Sequence, residues 1–154
     1  MKLSTILSKL DACFEARSWA KTQPDLKTAW HECKRSDWML WLIARTTLDQ
    51  DDPRLRLMAC DFAVAVLIYV PAGEDRPRQA IEVARRFAAG DATREEMDAA
   101  GAAAWATGAA GAAAGATGDA GAAAGATGDA QSDIIRHYFP ECPEIKPELL
   151  RKAA

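Results

Sequence analysis

Apolar residues recur along most of this chain at intervals of three and four, the period of a helix that buries one side. From Leu3 to about Lys21, the residues Ile6, Leu7, Leu10, Cys13, Phe14 and Trp19 keep that interval, which predicts one amphipathic helix stopped by Pro24. Asp25 is placed to cap a short helix with Leu26, Ala29, Trp30 and Cys33 along one side. Lys34 to Ser36 form a break, Asp37 is the next predicted N-cap, and Trp38 to about Thr47 is again densely apolar. The longest apolar run, Pro53 to Val70, leaves almost no polar face, so it is expected at the centre of the core with Phe62 and Leu67 buried on it. Asp52 and Pro53 mark its start, and its apolar part, about 14 residues, is too short to cross a hydrocarbon core that needs about 20.

The punctuation continues beyond that run. Asp75 precedes Pro77 in a first helical turn, Ala80, Ile81, Val83, Ala84 and Phe87 form a stripe, and Gly90 is placed as a left-handed stop. Thr93 and Glu96 have capping-box spacing, so the next helix starts there. After the repeats, Ile134, Ile135, Tyr138 and Phe139 give an amphipathic segment ended by Pro140, and a last helix is expected from Ile145 to about Lys152. Segments that alternate like strands are missing, so the fold class is all-α: one helical domain of about six to eight helices.

Residues 101–130 break the pattern. They are three ten-residue units, GAAAWATGAA, GAAAGATGDA and GAAAGATGDA, which hold eight of the chain's ten glycines. Alanine favours a helix, while each glycine opposes it by about 0.8–1 kcal/mol relative to alanine. One reading is a single long helix over 93–130 whose small residues, Gly108, Gly111, Gly115, Gly118, Gly121, Gly125 and Gly128, form a packing face for another helix or a second copy. The others are a tolerated, partly frayed extension and an extended, glycine-permitted form or plain disorder; the helix is the reading adopted, since alanine dominates and Thr93 starts it well. The expected organisation is a helical core over 1–100, the repeats over 101–130 packed on or extending from it, and a helical segment over 131–154 of the same domain.

Charge and reactive residues narrow the function. A net charge of −3 argues against a protein built to neutralise nucleic-acid phosphates, and the N-terminus lacks the apolar core of a signal peptide, so a cytoplasmic protein with reduced cysteines is expected. His31 and Cys33 are the one His/Cys cluster and lack the second pair of a zinc site; neither a metal nor another cofactor is expected. His31 and His137 have no motif linking them to a nucleophile, and the glycine-rich repeat has no lysine and no preceding strand, so no enzyme is expected. Trp19, Trp30, Trp38 and Trp41 fall within the first 41 residues; a binding platform and a packed core both use such aromatics, and core is the reading adopted. Asp49, Asp51, Glu74 and Asp75 lie in the loops at either end of the central run, with Arg76 and Arg78 following; these six are the candidate partner-binding residues.

The segments DLKTAWHECKRSDWMLWLIART and VPAGEDRPRQAIEVARRFAAGDAT, followed by an alanine-dominated tract, resemble the alanine-rich immunity-protein family of bacteria and phages. The resemblance covers roughly residues 10–100 by motif and the tract by composition. It implies a non-catalytic protein that binds and blocks a protein partner, either a toxin or a host defence factor, without nucleic acid or membrane. It carries over no catalytic residues. The alternative expectation is a structural role in which the Gly/Ala repeat mediates self-association as a homo-oligomer.

Overall fold

The computed structural model describes residues 2–105 and 124–151. Over these the chain is all-helical: α1 (Leu3–Lys9), α2 (Phe14–Ala20), α3 (Leu26–Glu32), α4 (Ser36–Ile43), α5 (Pro53–Ala65), a 3-10 turn (Leu67–Tyr69), α6 (Arg76–Ala89), α7 (Arg94–Trp105), α8 (Ala124–Tyr138) and α9 (Pro147–Leu150). Nine α-helices among the described residues slightly exceed the expected six to eight.

Part of the excess arises at Asp11. The periodic segment expected as one helix from Leu3 to Lys21 is two, because Asp11 takes a left-handed backbone, φ 58°. The Ala12 amide donates to Leu7 O at 3.0 Å and the Asp11 amide to Ser8 O at 3.2 Å, the paired bonds that close a helix C-terminus. Aspartate tolerates this conformation better than most side chains, and the apolar period continues across the break, which hid it. Gly90 closes α6 in the same way: φ is 85°, its amide donates to Phe87 O at 3.1 Å, and the Asp91 amide donates to Arg86 O at 2.8 Å.

The chain forms two compact units, Met1–Asp49 with Gly128–Ala154 and Gln50–Thr127. The sequence reading places its divisions at 100 and 130; the structure divides the chain at 49 and 127. In the first unit the core is built from both ends of the chain. Trp30 (α3), Met39 (α4), Ile135 (α8) and Phe139 are sealed from solvent. The Trp30 indole donates to Phe139 O at 2.9 Å, across 109 positions of sequence. Arg136 donates to Cys33 O at 2.8 Å and Trp30 O at 3.3 Å, satisfying carbonyls that the end of α3 leaves open, and pairs with Asp133 on its other side. A single antiparallel bridge, Thr46 with Ile145, joins the segments that follow α4 and α8; Thr47 donates to Glu144 O at 2.7 Å and Lys146 to Arg45 O at 3.0 Å. Asp37, expected as the N-cap of α4, lies within its first turn instead: Arg35 holds the cap position, and Asp37 turns back to bind it.

In the second unit α5 packs on α6 and α6 on α7. The starts are as the sequence implies: Asp52 accepts from the Arg54 amide at 2.9 Å, and Thr93 and Glu96 exchange hydrogen bonds of 2.7 and 3.2 Å. The expectation that α5 would be the centre of the core is not met. On α5 only Met58 and Cys60 are buried, with Phe62 half-buried and Val64 exposed; in the 3-10 turn that follows, Leu67 is half-buried and Ile68 exposed. Along α6 the stripe of Ala80, Ile81, Val83, Ala84 and Phe87 is likewise half-buried, with Phe87 flanked by the guanidinium groups of Arg56 at 4.8 Å and Arg94 at 5.0 Å. The large, fully sealed side chains belong to the first unit.

The expected single helix over 93–130 is not shown: the described residues carry α7 as far as Trp105 and α8 from Ala124, and residues 106–123 lie outside them. Gly108, Gly111, Gly115, Gly118 and Gly121 lie outside the described residues, while Gly125 and Gly128 fall on α8. At Gly101, the repeat glycine on α7, a Cβ would meet nothing within 4 Å, so no close backbone approach requires glycine there.

Candidate functional site

Four of the six candidate partner-binding residues fall in one place. The turn after the 3-10 segment carries Glu74 into Asp75, Arg76 and Arg78 at the start of α6. Glu74 accepts two bonds from the Arg76 guanidinium, one at 2.8 Å, and one from the Arg76 amide at 3.1 Å. That guanidinium, and then the amide, hold the Glu74 carboxyl down at about 2, against an ordinary 4.5. Asp75 sits at the N-cap position without a side-chain cap bond, so Glu74 takes the role that the sequence assigns to Asp75. Asp75, Arg76 and Arg78 are exposed. Asp49 and Asp51 are also exposed, but they precede α5 whereas Glu74 and Asp75 follow it; Asp49 belongs to the first unit and Asp51 to the second.

Sequence reasoning missed the exposed apolar side chains that precede this turn in the chain. Val64, near the end of α5, is 41% exposed and Ile68, in the 3-10 turn, 78%. These are two of the three large apolar side chains exposed among the described residues; the third, Phe14, is in the first unit. The signal was in the sequence. A run that is apolar all round presents more apolar surface than one neighbouring helix can cover.

The first unit holds a different feature. The tryptophan cluster surrounds an apolar cleft of about 400 Å3. Trp30 and Met39 are buried in its lining, whereas Trp19, Trp38 and Trp41 are half-buried, so the core reading fits Trp30 better than the other three. Trp19 and Trp38 lie 5.9 Å apart at a tilt of 52°. Arg35 covers the Trp38 ring at 4.5 Å and is held by Asp37 through bonds of 2.8 and 2.7 Å. Arg45 covers Trp41 at 3.7 Å and donates to its carbonyl. The Asp37 carboxyl is held below the usual carboxylate range by Arg35, and burial pushes the Cys33 thiol up.

Among the described residues no three His, Cys, Asp or Glu side chains gather closely enough to hold a metal ion, and no helix is long and apolar enough to cross a membrane. His31 and His137 are both exposed. No family model matches the chain, and no curated protein or solved structure matches it either.

Proposed function

We propose that this chain is a non-catalytic, cytoplasmic protein-binding protein that neutralises a protein partner, a toxin or a host defence factor. One observation carries the binding part: an exposed apolar pair, Val64 and Ile68, leads within a few residues into the ion-paired Glu74–Arg76 turn and the exposed Asp75 and Arg78. Exposed apolar side chains close in sequence to charged ones are the material of a protein–protein interface, which has an apolar centre and a polar rim. The neutralising role rests on the resemblance of residues 70–93 to the immunity family; this segment includes the same turn and helix start.

The test is co-expression with a toxin encoded beside the gene. Rescue of growth, and co-purification of a complex, are expected from the natural chain. Val64→Asp with Ile68→Asp should abolish both while leaving the circular dichroism melt within about 0.5 kcal/mol, as for surface substitutions. Rescue that persists in this double variant overturns the assigned surface. A natural chain that elutes as a homo-oligomer by size exclusion with light scattering, and becomes monomeric in the double variant, would assign the patch to self-association instead.

A further inference from the structure

The aromatic cleft of the first unit takes no part in that reading. Its volume of about 400 Å3 falls within the range of small-molecule sites, about 300–1,000 Å3, which are mostly apolar with few polar groups. The rings of Trp19 and Trp38, half-buried and packed at a tilt of 52°, both line it, and aromatic groups pair well in offset and edge-to-face arrangements. The lining offers no free charge. Its ionised side chains, Arg35 and Asp37, are of opposite sign and bound to each other in a two-point pair, with the guanidinium also resting on Trp38, so the lining carries no net charge. Cys33 donates its thiol to Arg35 O. A charged guest would have to compete with that pair for its counter-ion while leaving water, whereas a neutral one would not.

We propose that this cleft is a binding site for one neutral aromatic small molecule, lodged against the Trp19–Trp38 pair beside Trp30 and Met39.

The probe is N-phenyl-1-naphthylamine, a neutral fused-ring amine whose emission rises on leaving water, titrated into the full chain. Its sulfonated counterpart, 1-anilinonaphthalene-8-sulfonate, has the same ring skeleton with a negative charge. Saturable one-to-one binding of the neutral probe is expected, with the anionic one weaker by about tenfold or more. Trp19→Leu and Trp38→Leu should each weaken neutral-probe binding by roughly threefold to tenfold, the worth of one aromatic partner. Phe14→Ser removes a large exposed apolar side chain of the same unit that does not line the cleft, and should leave binding unchanged. If either tryptophan variant fails to fold, indole N–H resonances of the natural chain decide: the probe should move those of Trp19 and Trp38. Unsaturable binding, equal affinity for the two probes, loss of binding with Phe14→Ser, or resonance shifts that spare Trp19 and Trp38 would each overturn the assignment. So would a partner protein that is displaced by the neutral probe, because it would put a protein segment in the cleft.

Discussion

Replacing Trp30 by Phe tests how the two ends of the chain make one core. Trp30 is 2% exposed, and its indole N–H reaches the buried carbonyl of Phe139 at 2.9 Å. Phenylalanine keeps most of the apolar ring but has no donor. Loss of a buried hydrogen bond is destabilising by about 0.5–1.5 kcal/mol, and the smaller ring leaves a partly collapsed hole worth about 1–2 kcal/mol more. The expected loss is therefore about 1.5–3.5 kcal/mol. Trp38→Phe is the control: Trp38 is half-buried, phenylalanine retains a face for Arg35, and about 1 kcal/mol or less is expected. Urea melts followed by tryptophan emission suit the question, since four of the five tryptophans lie in the first unit. Circular dichroism reports both units, and separate midpoints by the two probes would show that they unfold separately. A loss below about 0.5 kcal/mol for Trp30→Phe, or one equal to that of Trp38→Phe, would refute the clasp between α3 and Phe139.

Three further outcomes follow from single features. The Glu74 carboxyl, held at about 2 by Arg76 against an ordinary 4.5, binds fewer protons folded than unfolded, so its contribution is fully present above the ordinary value and is lost as pH falls through about 2; carboxyl carbon NMR should give that midpoint, returning towards 4.5 in Arg76→Ala, and a natural-chain midpoint near 4 refutes the pair. Under iodoacetamide at neutral pH the exposed Cys13 should label first, with Cys33 and Cys60 buried and Cys142 pushed up to about 12 by burial; mass spectrometry showing Cys142 labelled as fast as Cys13 would contradict this. At Asp11, with φ 58°, glycine should be tolerated in a denaturant melt whereas valine should destabilise by about 1–2 kcal/mol; a neutral valine would mean that the left-handed turn is not there.

Local signals were legible where one residue decides the geometry. Asp25, Asp52, Gly90 and the Thr93/Glu96 box act within a turn of their own position, and each is found doing what its chemistry implies. The break at Asp11 was not legible, because Leu7, Leu10 and Ala12 stay buried on both sides of it and the apolar period runs through. The centre of the core was misplaced for a related reason. Apolar density measures how much surface a segment would gain by burial, whereas actual burial depends on how many neighbours reach it. Ile135 and Phe139 belong to a sparse apolar segment, yet they are sealed because α3, α4 and the bridge at Thr46 converge on that region.

The same distinction separates the two candidate sites. Val64 and Ile68 come from the most apolar run, and their exposure is a surplus that a single packed neighbour leaves behind. The cleft lies beside large residues that meet at an angle: Trp19 and Trp38 touch at a tilt of 52°, and Arg35 is held over Trp38 by Asp37. Four tryptophans within 41 residues announce a large aromatic surface. Their spacing states which helix faces carry the rings, but the space between those faces depends on helix positions set by Trp30 and Arg136, through contacts with residues more than a hundred positions away. A cleft is a property of distances between elements, and no pattern within one element encodes it.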